Sequence, residues 1–142
     1  MSLLVSRALS AIVAVALVPG CASVAPLRNT PIAQGALVGD WKLTDIGNKR
    51  VSRGLTLSFH RDGTVTGTVK CNTLGGRFDI RAQGVGFFDV IITAAGCGPG
   101  WPTIIDRADR ALFSPAAASF LSVDSRHLYI VGSERLRFER TT

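Results

Sequence analysis

Apolar and polar residues alternate over most of the chain beyond residue 36, which is the pattern of strands that bury one face. The alternation is clearest over residues 55–70, where Asp62-Gly63 separates two alternating runs and predicts a β-hairpin. Shorter runs of the same kind occupy residues 40–46, 77–80, 85–92, 127–131 and 135–140. We therefore expect about six to eight short antiparallel strands, arranged as a small barrel or sandwich.

The segment of residues 67–78 links this hairpin to the rest of the domain. Its alternation is interrupted by Cys71-Asn72 and then by Gly75-Gly76. Asparagine and glycine tolerate the backbone angles of turns, so we expect the chain to turn here before a new strand starts at Arg77.

The stretch after residue 100 has a helical pattern. Residues 106–112 and 116–121 predict one broken helix or two short ones, because Pro115 lacks the N–H that a continuous helix needs. The side chains expected to face the sheet are Ile104, Ile105, Ala108, Leu112, Phe120 and Leu121. The expected fold class is therefore mainly β, with one helical segment late in the chain.

The start of the chain predicts a lipoprotein-type signal peptide over residues 1–20. Arg7 precedes an uncharged, mostly apolar run at residues 8–18, which is shorter than the ~20 residues of a membrane-spanning helix. The following Val18-Pro19-Gly20-Cys21 is similar to the bacterial motif in which the cysteine receives lipid. An ordinary secretory signal peptide and a retained anchor helix are the alternatives.

Lipidation of Cys21 would attach the protein to a membrane, since each buried methylene contributes ~0.8 kcal/mol. The next residue is Ala22 and not aspartate, which by resemblance to the sorting rule of enteric bacteria favours the outer membrane. Residues 21–35 contain prolines and small residues and predict a flexible tether, followed by the domain at residues 36–142. The expected location is the bacterial cell envelope, at the outer membrane and facing the periplasm.

Charge constrains the partners less strongly. The length of 142 residues suits one domain, and the formal net charge is +6. From Cys21 onward the chain keeps 15 basic and 10 acidic residues, a net charge of +5. No block of five or more like charges occurs, so we expect no nucleic-acid partner. Scattered surface charge and attraction to an anionic surface both remain open.

Two cysteines, Cys71 and Cys97, are left if Cys21 carries lipid. An exported compartment oxidises such pairs, so we expect a disulfide between them. Two buried free thiols are the alternative.

The chain contains none of the common catalytic or metal-site motifs. Its only histidines are His60 and His127, which lie in strand patterns and lack the spacing of metal ligands. Acids beside bases, as in Asp106-Arg107 and Asp109-Arg110, are typical of a solvated helix face. We expect no enzymatic activity, no cofactor and no metal.

The opening of the first strand offers a more specific hypothesis. Gly39-x-Trp41 resembles the start of lipocalin-type barrels, in which the tryptophan plugs one barrel end and an arginine from a late strand packs over it. Arg135 or Arg137 would supply that cation–π contact. A core tryptophan without further meaning is the alternative.

Several short motifs recur in one order along the domain. They are Gly39-x-Trp41-x-Leu43, Leu55-x-Leu57-x-Phe59, Gly63-x-Val65-x-Gly67, Cys71-Asn72 followed by Gly76, and Thr93-x-x-x-Cys97. Together these residues resemble the META/HslJ domain family. The chain departs from the family pattern at Ala94-Ala95-Gly96 and at Pro115.

This resemblance implies a small antiparallel β-barrel of lipocalin-like topology, found in envelope proteins linked to the stress response. Members of the family generally lack an established enzymatic activity. The family-motif positions in this chain are Gly39, Trp41, Asn72, Gly76 and Thr93.

The leading hypothesis is a non-enzymatic envelope lipoprotein with a binding or stress-related envelope-integrity role. One alternative is a lipocalin-like carrier of a small apolar ligand, with an open interior lined by Leu57, Val69, Phe88 and Val90. Another is an inhibitor of an exported hydrolase, in which the glycine-rich loop at residues 96–101 presents Trp101 to a protein partner.

Overall fold

The computed structural model describes residues 32–122 and 124–141. Cys21, the predicted signal peptide and most of the predicted tether lie outside the described residues. The elements are α1 (Gln34–Leu37), β1 (Gly39–Ile46), β2 (Lys49–Arg50), β3 (Leu55–Phe59), β4 (Thr64–Val69), β5 (Asn72–Arg81), β6 (Gly84–Ile92), α2 (Ile104–Leu112), β7 (Ala118–Leu121), β8 (His127–Val131) and β9 (Arg135–Thr141). This confirms a mainly β fold with a helix late in the chain. No helix in these described ranges has the length and apolar character needed to cross a membrane.

The strands form one curled antiparallel sheet. Its order is β6-β5-β4-β3-β1-β9-β8-β7, and β2 adds two residues to β1. The first and last long strands, β1 and β9, therefore pair with each other. The half-barrel has its seam between β6 and β7, where the chain inserts the 93–103 loop and α2.

Ser119 of β7 joins the two sides of the seam at one point. Its N–H donates to the Gln83 carbonyl at 2.7 Å, and its hydroxyl oxygen accepts the Val85 N–H at 2.6 Å. Gly84 has a φ of +119°, and a Cβ at that position would overlap Ser119. Glycine is therefore required where the two edges meet.

The inward side chains fill the half-barrel. Phe59 packs edge-to-face on Phe78 with ring centroids 4.9 Å apart. Leu57 and Val69, expected to line an open interior, are buried in this core, and Phe88 lies on the surface with 37% of its area exposed. Packing also extends into the last residues of the predicted tether, because Ile32 is buried.

The prediction that residues 116–121 are helical is wrong. Ala118–Leu121 is strand β7, paired with β8. Phe120 consequently does not face the sheet from a helix but stacks on Tyr129 of β8, with centroids 5.0 Å apart. A short apolar run does not distinguish strand from helix by its periodicity, and the exposed edge of β8 decides the outcome.

The turn expected between residues 71 and 76 is placed earlier. Lys70-Cys71 forms it, with Lys70 at a φ of +56°, and β5 begins at Asn72. Gly75 and Gly76 lie inside β5, where its pairing with β6 shifts at a β-bulge.

Candidate functional site

The disulfide predicted from the sequence is present. Cys71, in the turn just before β5, is bonded to Cys97 in the loop that leaves β6. The Cys71 N–H also points to the Cys97 sulfur at 3.2 Å. The bond therefore attaches the start of the 93–103 loop to the sheet.

Asn72 strengthens the same attachment. Its side-chain oxygen accepts the Ala95 N–H at 2.7 Å and the Thr93 hydroxyl at 3.2 Å. The Thr93 hydroxyl oxygen in turn accepts the Thr73 N–H at 3.0 Å. The motif residues Asn72 and Thr93 thus hold the loop, and Gly76 allows close approach, since a Cβ there would lie 3.1 Å from the Val90 Cα.

The loop delivers α2 to one end of the half-barrel. Arg53 donates to the Gly100 carbonyl and packs over Trp101, with its guanidinium carbon 4.8 Å from the ring centre. Apolar residues recur at helical spacing in α2 and give it one buried face, consisting of Ile105, Ala108, Ala111 and Leu112. Lys70 pairs with Asp106 at 2.5 Å and further fixes the helix.

Beside the seam, a groove remains open between β6 and α2, and we call it the seam groove. It has a volume of about 470 Å³ and is lined by Phe87, Phe88, Val90, Ile92, Asp109 and Phe113. A smaller cavity of about 180 Å³ continues towards Gly84 and Pro115 and shares Phe87 and Phe113 with it. The groove volume lies in the range of small-molecule sites, about 300–1,000 Å³.

Asp109 is the one charged residue in the lining of the seam groove. Its Oδ1 atom is shielded from solvent and has no hydrogen-bond partner among the described residues. Burial raises the pKa of this carboxyl, and the neighbouring Asp106 raises it further, whereas Arg110 and Lys70 lower it less. A carboxylate of this kind favours a ligand that brings a positive charge.

We expect Asp109→Asn to raise the melting temperature at pH 7 by about 1–3 °C. A carboxyl whose folded-state pKa is raised stabilises the fold fully only below its unfolded-state pKa, and that contribution is lost as pH rises through the folded-state value. The gain from Asp109→Asn should therefore shrink on acidification towards pH ~4. Thermal unfolding at several pH values measures this. Asp79→Asn, which removes an exposed carboxylate paired with Arg81, is the control and should give no gain. Equal melting temperatures of wild type and Asp109→Asn at pH 7 would contradict the argument.

The opposite end of the half-barrel is closed by Trp41, as hypothesised, but a different arginine covers it. The guanidinium carbon of Arg140 lies 4.2 Å from the Trp41 ring centre. The prediction of Arg135 or Arg137 is wrong, because these residues alternate with buried Leu136 and Phe138 and point outward. Arg137 instead donates to Asp45 at 3.1 Å on the outer face.

The remaining candidate residues lie apart from one another. His60 is hydrogen-bonded to Thr66 at 2.9 Å, and His127 lies 2.9 Å from an Arg137 nitrogen. Within residues 32–122 and 124–141, no group of three or more His, Cys, Asp or Glu side chains could hold a metal ion.

Sequence reasoning missed the seam groove. The charge pattern predicts Asp109 on a solvated helix face, yet it and Phe113 are four residues apart, one helical turn, and both line the groove. That spacing was the available clue. The sequence could not show that Phe87 and Ile92 of β6 lie beside α2, because no local pattern specifies where the sheet stays open.

The whole domain matches one family. Residues 35–142 match the model of the META domain. A search of the curated proteins finds no match.

Two solved structures share the fold. An NMR structure of a protein from Burkholderia xenovorans has a TM-score of 0.64 and 19% identity, over 90% of this chain and 99% of that chain. The crystal structure of a DUF4847 family protein from Bacteroides vulgatus ATCC 8482 has a TM-score of 0.50 and 16% identity, over 74% of this chain and 94% of that chain. With its family model spanning the entire sheet, this chain belongs to the META domain family.

Proposed function

We propose that this protein is a non-enzymatic envelope lipoprotein whose META domain is a ligand-binding module. Cys21 carries the lipid, and the domain faces the periplasm from the outer membrane. The seam groove is the binding surface. The observation that carries the proposal is this open, mainly apolar groove beside α2, whose preceding loop a disulfide attaches to the sheet.

The position of the disulfide supports an exported location. Cys71 lies at the surface of the domain, on a turn. Cytosolic thiol systems reduce accessible bonds of this kind, whereas the periplasm maintains them. The disulfide can therefore persist in the periplasm, which is the compartment that the predicted signal peptide implies.

The filled core supports binding at the seam. Leu43, Leu57 and Phe138 have no exposed area, so a ligand held inside the sheet would have to displace packed side chains. This supports a side-binding module over a lipocalin-like carrier with a central cavity. The inhibitor hypothesis has less support, since Arg53 covers Trp101 and a protein partner would need to displace it.

The envelope part of the proposal is tested by labelling cells with radioactive palmitate and by weighing the purified protein with and without reductant. We expect label in the wild type and none in Cys21→Ser. We also expect two thiols that become alkylatable only after reduction. Label in both proteins or in neither, or free thiols on an unreduced and unlipidated chain, would overturn the envelope assignment.

A further inference from the structure

The seam groove combines aromatic rings with one carboxylate. Phe87 and Phe113 pack edge-to-face in its lining, with centroids 5.6 Å apart. Phe87 also contacts Phe59 of the core at 6.0 Å, which holds its ring in place. Aromatic faces attract cations through their quadrupole, and a nearby carboxylate adds to that attraction.

The Asp109 carboxylate is not neutralised by the cations around it. Lys70, from the β4–β5 turn, is paired with Asp106 at 2.5 Å. Arg110, on α2 itself, is exposed, and Asp89 of β6 is an exposed acid. Asp109 lines the groove, so a cation bound there would compensate the charge of its carboxylate.

The shape of β6 argues for a small molecule and against an added peptide strand. β6 is an edge of the sheet, but its pairing with β5 shifts at the bulge, and Asp89 there has a φ of +52°. A bulge of this type bends the strand and interrupts the regular row of backbone groups that a new strand would pair with.

We propose that the seam groove binds a small organic ammonium ion with an aromatic or alkyl body. The ammonium group donates to Asp109 and packs against Phe87 and Phe113, and the apolar body lies along Val90 and Ile92. This inference rests on the proposed function, since it names the ligand class of the same groove.

The test uses 4-phenylbutylamine with two probes of the same skeleton, 4-phenylbutanol and 4-phenylbutyrate. Each is titrated by calorimetry into the full-length protein in lipid nanodiscs, with empty nanodiscs as the blank. We expect the amine to bind about tenfold or more tightly than the alcohol, and the carboxylate to bind most weakly. Methyl chemical shifts of Val90 and Ile92 should move with the amine.

Two variants separate the ionic contact from general binding. Asp109→Asn should abolish the preference for the amine while leaving the alcohol's affinity within about twofold, whereas Asp79→Asn, at an exposed carboxylate outside the groove lining, should retain the preference. Equal affinities for amine and alcohol in the wild type, no binding of either, or an amine preference that survives Asp109→Asn would overturn the inference. So would sedimentation showing self-association that buries this groove, since a second copy would then be its occupant.

The outcome is independent of the membrane assignment. If no probe binds but palmitate labels Cys21, the envelope proposal stands and the ammonium inference fails. If the amine binds but Cys21 carries no lipid, the ammonium inference stands and the envelope proposal fails.

Discussion

Replacing Trp41 with alanine is expected to lower the free energy of unfolding by about 3–5 kcal/mol. The side chain is 1% exposed and is among the largest fully buried groups. Its ring N–H donates to the Leu37 carbonyl at 2.8 Å, which ties α1 across the end of the half-barrel. Alanine would leave a cavity under Arg140 and an acceptor without its donor.

The stability lost in Trp41→Ala should exceed the cost of the cavity alone, because the Arg140 guanidinium packs on the Trp41 ring. It donates to the carbonyls of Val38 at 2.7 Å and Ser125 at 3.1 Å, and also to Ala36. Gly39 leaves room for it, since a Cβ there would lie 2.7 Å from an Arg140 nitrogen. Without the Trp41 ring beneath it, the cation loses a contact worth ~1 kcal/mol.

Urea unfolding followed by circular dichroism measures the effect of Trp41→Ala. The chain supplies its own control in Trp101→Ala, where a half-buried loop residue should cost less than about 1.5 kcal/mol. Trp41→Phe, which keeps most of the ring but not the N–H, should fall in between. Equal losses for the two alanine variants would show that Trp41 does not close the half-barrel as described.

The double variant with Cys71→Ala and Cys97→Ala is expected to lose about 3 kcal/mol of stability. The two residues are 26 positions apart, and closing a loop of that length removes denatured-chain entropy equivalent to about 3.5 kcal/mol. Asn72 and Thr93 still hold the loop after the bond is removed, so the native fold itself should be retained.

The matched comparison is wild-type protein unfolded in the presence of reductant. The urea midpoint of the reduced wild type should coincide with that of the double variant. Adding reductant to the double variant should not change its midpoint. A double variant within about 0.5 kcal/mol of the oxidised wild type would refute a stabilising role for the bond.

Local patterns predicted the strands because alternation depends only on neighbouring residues. Leu55, Leu57 and Phe59 alternate with polar residues and form β3 as expected. The same alternation identifies which arginine packs over Trp41. Arg135 and Arg137 share the outward register, whereas Arg140 shares the inward one and pairs directly opposite Trp41.

Hydrophobic patterns gave wrong predictions where a short segment is compatible with two kinds of local structure. Residues 118–121 carry apolar character that fits a helix or a strand, and pairing with β8 selects the strand. Gly75 and Gly76 were expected in a turn because glycine favours turns, but in this fold glycine also serves a bulge and a close approach to Val90.

The sequence by itself determined the mainly β fold and the family, because each depends on residue types at local or motif spacing. It predicted the Cys71–Cys97 disulfide from the cysteine count and the expected compartment. Tertiary structure alone decided where the half-barrel stays open. Pairing of β1 with β9 places the seam between β6 and β7. The groove beside this seam brings Phe87 of β6 close to Asp109 of α2. Such a meeting depends on which strand edges remain after all other edges have paired, a property of the whole sheet and of no single segment.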